Sequence, residues 1–365
     1  MSAIKSMPYV RLGKSGLKVS KIILGCMSYG SPGWQPWILE EAESITHIKA
    51  AYDLGINTFD TANAYSNGAS EVILGKAIKQ HNINRDEIVV MTKVWATVGR
   101  GDTYLSLMKP AMLDSMGYAN QRGLSRKHIF ESVKHSLARL QLDYVDVLQC
   151  HRFDSETPIA ETMHALHDVV QAGYARYIGM SSCWAWQFQL MQNYALTHNL
   201  TPFISMQNHL NLLYREEERE MLPMLEHFGV GSIPWSPLAR GMLARPLAPS
   251  NAASNTGEVK TKTTREEVDT MLGGYLRYPS DSQLVDRWVG YCDRLEEIAA
   301  KKGASMAQVA LAWLMQKDGV TAPVVGSTSL DNLRDLVGAI HVALTAEEAR
   351  YLEENYQSRN VFGHS

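Results

Sequence analysis

Four side chains in the first half of the sequence could move a proton together: Asp60, Tyr65, Lys93 and His151. Asp60 closes the short apolar run in GINTFDTANAY, and Tyr65 follows five residues later on a polar stretch. Lys93 ends IVVMTK and His151 ends YVDVLQCH. A free phenol titrates at about pH 10 and is a poor proton donor or acceptor at neutral pH. A neighbouring ammonium would stabilise the phenolate and lower that value. Asp60 could keep Lys93 charged and aimed, and His151 could hydrogen-bond and orient a substrate oxygen. Such a set suits a reaction in which an oxygen gains or loses a proton while hydride moves at its carbon. Reduction of an aldehyde or ketone is one, and it needs no metal. Taken singly, each residue has a plainer reading: Asp as a turn or cap residue, His as a rim residue, Lys as solvated, Tyr as packing. Their recurrence at the same end of successive apolar runs favours the joint reading.

Those runs alternate with amphipathic segments. The expected strands are Lys21–Gly25, Asn57–Thr61, Ile88–Lys93, Tyr144–His151, Arg176–Ser181, Phe203–Gln207, Val230–Trp235 and Pro323–Gly326. Between them lie helical patterns such as ITHIKAAYDLG, HIFESVKHSLARLQ and IAETMHALHDVVQAG, several ending in the Gly common past helix C-termini. Eight strands and about as many helices fit a closed parallel (β/α)8 TIM barrel, whose sites sit at the carboxyl ends of the strands. A doubly wound sheet is the alternative. It would need a G-x-G-x-x-G turn after its first strand to hold a dinucleotide, and the chain has none. The expectation is one barrel domain over residues 1–365, with residues 2–20 as an N-terminal β-hairpin cap. Two insertions, 95–127 after the third strand and 244–283 after the seventh, read as loops over a pocket, because long loops in compact domains are usually functional or disordered.

Composition narrows the classes further. The 365 residues are 45% hydrophobic and 20% charged with a net charge of −3, which suits a soluble globular protein and offers no basic surplus for nucleic acid or an anionic membrane. Four dispersed cysteines, Cys26, Cys150, Cys183 and Cys292, form no zinc or disulfide pattern. The N-terminal stretch lacks the apolar core of a signal peptide, and no run approaches the ~18 apolar residues of a membrane span. A cytoplasmic protein is expected. His164 and His167 stand at metal-like spacing, but they lie on a helical pattern without a third ligand, so packing is the expected role and no metal is expected.

The segment GINTFDTANAYSNGASEVILGKAI resembles the first signature of the aldo-keto reductases. The resemblance continues through VVMTKVW, LDYVDVLQCHRFD, RYIGMSS, MQNHLNLLYREEER, WSPLARGML and APVVGSTSLDNL, and covers nearly the whole chain. Within that superfamily the sequence is most similar to the bacterial and fungal reductases grouped with aryl-alcohol dehydrogenases. The resemblance implies a catalytic tetrad of Asp60, Tyr65, Lys93 and His151, with Tyr65 as general acid in reduction. It further implies that Ser181, Ser182 and Gln207 hold a nicotinamide carboxamide and that Trp235 stacks under the nicotinamide ring. Ser236, Leu238, Arg240 and Gly241 match the loop over the pyrophosphate, and Gly326, Ser327, Thr328 and Asn332 match the segment around the adenosine ribose and 2′-phosphate. The implied cofactor is NADPH (NADP+) in preference to NADH. Ser329 stands where many relatives carry an Arg on the 2′-phosphate, and Lys260, Lys262 or Arg265 in the second insertion could compensate or simply be solvated.

Aromatic side chains near the strand ends, Tyr29, Trp34, Trp95, Trp184 and Trp186, suggest a pocket for a flat apolar substrate. Arg152 could bind an anionic or hydroxylated substrate or pair with Asp154. The expected partner is a small-molecule carbonyl compound; monomer and homo-oligomer are equally open. Two further readings remain: a barrel enzyme in which Lys93 forms a Schiff base, and a cofactor-binding auxiliary subunit with little turnover.

Overall fold

The apolar runs of the sequence become parallel strands because each is followed by a helix long enough to carry the chain back to the other end of the sheet. The computed structural model describes residues 7–101, 103–106, 108–246 and 282–364, with side chains from 290 onward in the last stretch. An antiparallel pair comes first, β1 (Tyr9–Arg11) and β2 (Lys18–Ser20), in the register Tyr9↔Ser20 and Arg11↔Lys18. Eight parallel strands follow: β3 (Ile23–Gly25), β4 (Thr58–Asp60), β5 (Val89–Val94), β6 (Val145–Cys150), β7 (Ala175–Ser181), β8 (Phe203–Gln207), β9 (Gly231–Ser232) and β10 (Val324–Val325). Their order in the sheet is β10-β3-β4-β5-β6-β7-β8-β9. The ends meet: Ser232 bridges Val320, the Thr321 amide donates to Ser232 O at 2.8 Å, and the Val324 amide donates to Pro234 O at 2.8 Å. The fold is a (β/α)8 TIM barrel, as the strand count led one to expect.

The connecting helices are α1 (Glu41–Asp53), α2 (Ala69–Gln80), α4 (Arg126–Leu140), α5 (Ile159–Gln171), α6 (Ala185–Thr197), α7 (Met221–Phe228), α9 (Met306–Gln316) and α10 (Leu330–Gly338). Three others stand outside the repeat: α3 (Pro110–Ser115), α8 (Ser282–Lys302) and α11 (Ala346–Glu353). Alternation along each strand sorts side chains into two cores. Val90, Val94, Leu148, Cys150, Ile178 and Met180 point outward to the helices. Ile23, Val89, Met91, Val147, Ile233 and Ala322 form an apolar plug in the barrel's lower half, sealed from beneath by Leu12 and Val19 of the hairpin. The hairpin turn needs Gly13 (φ +58°), where a Cβ would lie 2.4 Å from Gly229 O; the Lys14 amide donates to that same carbonyl at 2.7 Å.

The loop after β5 has a small core of its own, in which Leu105, Leu113 and Tyr118 are buried with Met108 against them. Most of the second expected insertion, together with Lys260, Lys262 and Arg265, lies outside the described residues, as do residues 2–6 of the hairpin segment. Among the described residues no helix is long and apolar enough to cross a membrane.

Candidate active site

Period-two alternation explains how a lysine enters an apolar strand. Val89, Met91 and Lys93 share the inward face of β5, so the run IVVMTK stacks two apolar side chains below one ammonium. Lys93 is therefore the penultimate residue of β5, fully buried, with Val94 closing the strand on the outer face. Asp60 ends β4 on the same inward face. Lys93 Nζ donates to Asp60 Oδ2 at 2.5 Å, to the Thr61 carbonyl at 2.9 Å and to the Tyr65 hydroxyl at 3.2 Å. All three ammonium protons are thereby assigned. His151 follows β6, and its ring stands edge-on to Tyr65 with centroids 5.7 Å apart. The structure thus brings Asp60, Tyr65, Lys93 and His151 together.

Two amides complete the network. Asp60 Oδ1 accepts from Gln149 Nε2 and from Gln207 Nε2, both at 2.8 Å, and Gln207 Nε2 also reaches Gln149 Oε1 at 3.2 Å. Gln149 escaped the sequence reading; its signal was a lone polar residue at an inward position of the buried run VDVLQC. Its side chain needs room at β7, where a Cβ on Gly179 would lie 2.4 Å from Ser205 Oγ and 3.2 Å from Gln149 Cγ.

The electrostatics differ from the sequence expectation at one point. Burial raises the Tyr65 phenol above its ordinary value, and this outweighs the downward pull of the Lys93 charge and hydrogen bond and of Arg152, while Asp60 pushes it up as well. Lys93 acts in the expected direction, but the net shift is upward, because the phenol is enclosed. Burial also pulls down on Lys93, yet Asp60 and Tyr65 more than restore it and hold the ammonium above its ordinary value. His151 is pushed well below its usual range by burial, then by Arg152 and Lys93, and is neutral.

His209 is likewise driven well down, by burial first and then by Arg240, His364, Arg152 and Arg359. These two imidazoles set a pH dependence. In the unfolded chain they take up protons below about pH 6.5; in the folded chain their depressed values keep them neutral, so the unfolded state binds more protons there and stability falls as pH drops. Urea denaturation at neutral and mildly acidic pH should show this loss, and replacing either histidine by Gln should flatten the slope.

The segment carrying Tyr65 is held by left-handed residues. Ser66 (φ +46°), Asn67 (φ +54°) and Gly68 (φ +94°) follow it in succession. Asn67 repays part of that strain: its amide donates to Gly99 O at 3.0 Å and Gly101 O at 2.8 Å, and its carbonyl accepts from the Gly99 amide at 2.6 Å. The loop bearing the tyrosine and the loop after β5 are thus one unit. Ser66 Oγ accepts from the Ser31 amide at 3.1 Å, drawing in the segment that lays Trp34 over Tyr65, ring centroids 6.1 Å apart and 28° between planes. Beneath, buried Glu71 accepts from Thr92 Oγ1 at 2.5 Å and Arg139 Nε at 2.6 Å, fixing the outer face of β5 beside Lys93.

The residues that the resemblance matches to a dinucleotide lie at and beyond the ends of β7, β8, β9 and β10. Ser181 Oγ donates to Gln207 O at 2.8 Å. Ser182 (φ +31°) accepts at Oγ from Trp235 Nε1 at 2.9 Å. Trp235 lies flat on His209, centroids 4.2 Å apart, and His209 lies flat on Tyr214 at 4.4 Å. Left-handed geometry recurs at Ser236, Ala239, Arg240 and Gly241, just after Trp235 and around Leu238. Asn211 Nδ2 donates to Ser236 O at 2.9 Å and pins that loop. Gly326, Ser327 and Thr328 follow β10; Ser327 Oγ donates to Ser329 O at 2.7 Å and accepts from the Ser329 amide at 3.1 Å. Ser329 caps α10, its hydroxyl accepting from the amide of exposed Asn332. The serine at this position serves the helix terminus.

The expected pocket residues part company. Trp34 meets Tyr65, and Trp95 lies under the Arg122 guanidinium, 4.3 Å from its ring centroid. Trp184 and Trp186 are exposed near the C-terminal strand ends; Trp184 meets His364 and Trp186 meets Phe153, both edge to face. Tyr29 does not line a cleft, because its ring is fully enclosed in the core against His47. Arg152 does not pair with Asp154, whose oxygens accept from the Leu124 and Glu156 amides and from Thr157 Oγ1. On α5, His164 meets the Tyr194 hydroxyl of α6, and His167 meets Thr201 in the loop before β8. Among the described residues no group of three or more His, Cys, Asp or Glu is placed to hold a metal ion.

One contributor carries no signal in its own sequence. The segment after α11 crosses the loop that follows β8: the Arg359 amide donates to Glu216 Oε1 at 2.6 Å, the Phe362 amide to the Tyr214 hydroxyl at 3.1 Å, and His364 Nε2 meets buried Glu217 Oε1 at 2.7 Å. Phe362 stands edge-on to His209, and Gly363 packs on Trp235.

Comparison with known proteins identifies the family. A model of the aldo/keto reductase family matches residues 21–357. The versiconal hemiacetal acetate reductase of Aspergillus parasiticus is 48% identical over 358 residues, which cover 97% of this chain and 98% of that protein. The aldo-keto reductase AFTS1 of Alternaria alternata is 46% identical, covering 98% of this chain and 94% of that one. A Schizosaccharomyces pombe protein whose name assigns it to the aryl-alcohol dehydrogenases is 45% identical, with 98% and 97% covered. Matched from Lys21 to Gln357 and similar to these proteins almost end to end, the chain belongs to the aldo/keto reductase family of oxidoreductases.

Proposed function

We propose that this chain reduces aldehydes and ketones, aromatic aldehydes foremost, with NADPH as reductant. The observation that carries the reading is the Tyr65 hydroxyl, 3.2 Å from an ammonium that Asp60 fixes, beside a neutral His151. A bound dinucleotide would supply the hydride. Tyr65 would donate its proton to the carbonyl oxygen, and the raised value of the enclosed phenol keeps that proton available at neutral pH. Lys93 would stabilise the phenolate as it forms, and the neutral His151 would orient the same oxygen.

The residues around the centre fit a nicotinamide cofactor in a definite way. Gln207 has committed its NH2 group to Asp60 and Gln149, so its carbonyl remains to accept from a carboxamide. Ser182 accepts from Trp235 and keeps its own proton to donate, while Ser181 retains acceptor capacity. Trp235 is backed by His209 and Tyr214 as a rigid platform, and Arg240 on the left-handed loop provides charge for phosphate. With Ser329 spent on its helix cap, the preference for NADPH over NADH rests on Gly326–Asn332 without an arginine at that position.

The Schiff-base alternative is disfavoured by the same geometry, because an amine nucleophile must be neutral and Lys93 is held as an ammonium on three acceptors. A panel of aldehydes, ketones and cyclic hemiacetals with NADPH and NADH in parallel tests the proposal. Substrate-dependent oxidation of NADPH, faster than of NADH, is expected. No oxidation of either dinucleotide would return the chain to the auxiliary-subunit reading, and covalent trapping by borohydride would revive the Schiff base.

A further inference from the structure

Arg152 is a cation without a counter-ion beside the reacting centre. It follows His151 at the end of β6, and among the described residues its hydrogen bond is from NH1 to the His151 carbonyl at 2.6 Å. No carboxylate among the described residues pairs with it, since Asp154 spends its oxygens on two amides and a hydroxyl. Its charge bears on Tyr65, His151, Cys183 and His209, side chains from four different strand ends, which places the guanidinium in their midst. Burial makes that charge unfavourable and pulls the guanidinium below its ordinary value. The side chain is largely but not fully buried, and no donor of Arg152 is both enclosed and unpaired. The spare donors therefore remain accessible to a ligand.

A buried cation left without an anion is unfavourable, and a guanidinium's fork of donors matches a carboxylate better than any single acceptor. We propose that Arg152 is the anchor for an anionic group on the substrate, so that the preferred substrates are aldehydes carrying a carboxylate or phenolate. This rests on the reductase reading for the aldehyde and on Arg152 alone for the anion. With the carbonyl oxygen at Tyr65 and His151, Arg152 would hold the anion, and Trp34, stacked over Tyr65, would meet the flat body.

The test compares meta- and para-formylbenzoate with their methyl esters, which keep size and shape and remove the charge. Wild-type kcat/KM should favour at least one of the acids, chiefly through KM. In Arg152→Leu the acid-to-ester ratio should fall on the order of 100-fold, the weight of a charge-assisted bond, and Arg152→Lys should restore part of it. Benzoate binding, followed by tryptophan fluorescence with and without NADPH, provides a readout independent of turnover and should weaken in Arg152→Leu by a similar factor. If esters and acids are reduced alike and benzoate binds the variant as it binds the wild type, the anion anchor is wrong while the reductase reading stands. If benzoate binding depends on Arg152 but no aldehyde is reduced, the anchor stands and the reductase reading falls.

Discussion

Tyr65→Phe should lower kcat/KM for aldehyde reduction by about 10²–10⁴-fold, the range carried by a positioned general acid, while dinucleotide affinity stays nearly unchanged. The substitution removes one oxygen and little else. The ring keeps its stacking with Trp34 and its edge contact with His151. Lys93 loses one of three acceptors but retains Asp60 and the Thr61 carbonyl, so the ammonium remains charged and the network around Asp60 persists. Among the described residues the phenol's hydrogen bond is to Lys93, not to a residue matched to the cofactor. Steady-state kinetics with fluorescence titration of NADPH separates the two quantities. Undiminished turnover in the variant would remove Tyr65 from the proton-donor role, and a parallel loss of NADPH affinity would show that the change had spread beyond one proton.

Asp60→Ala should be the most damaging single change to stability, at about 3–5 kcal/mol, the usual result of stripping one member from a buried ion pair. Three donors meet this carboxylate: Lys93 Nζ on one oxygen, Gln149 and Gln207 on the other, with Gln207 also tied to Gln149. Removing it leaves an enclosed ammonium and two enclosed amides short of acceptors. Because Lys93 is held above its ordinary value, the pair's contribution is complete below the unfolded lysine's pKa of about 10.4 and is lost only as pH rises past the folded value. The deficit in the variant should therefore be constant across the neutral range. The double variant Asp60→Ala/Lys93→Met should lose less than the two single losses combined, because the second change removes the stranded charge. A single-variant loss below about 1 kcal/mol, the range of an exposed pair, would contradict the view of Asp60 as the hub.

Much of this was legible in the sequence, and the exceptions have physical causes. The count of apolar runs pointed to eight parallel strands, and Asp60, Tyr65, Lys93 and His151 stood out because each interrupts or follows such a run. Neighbours across the barrel are invisible in one dimension: Gln149 and Gln207 are 89 and 147 residues from the carboxylate they share. The sign of the Tyr65 shift was misjudged because proximity to a lysine can be inferred from strand order, whereas enclosure by Trp34 and the loop after β5 cannot. Tyr29 resembled the other rings near strand ends, yet its side chain turns into the core. The segment 356–364 has no periodicity, and its place depends on carboxylates at Glu216 and Glu217 that look like ordinary surface charge.

The junction between β9 and β10 gives the barrel an uneven mechanical character. Each of these strands is two residues long, and the closing contact is a single bridge with a few backbone bonds around Ser232, Thr321 and Val324. Local opening concentrates where backbone bonds are few, so amide hydrogen exchange should be fastest along this seam among the barrel strands. The two sides of the seam lead directly to Trp235 with the loop 236–241 and to Gly326–Thr328. A dinucleotide lying across both would close the barrel like a hoop on its weakest stave, and would slow opening there in proportion to its occupancy.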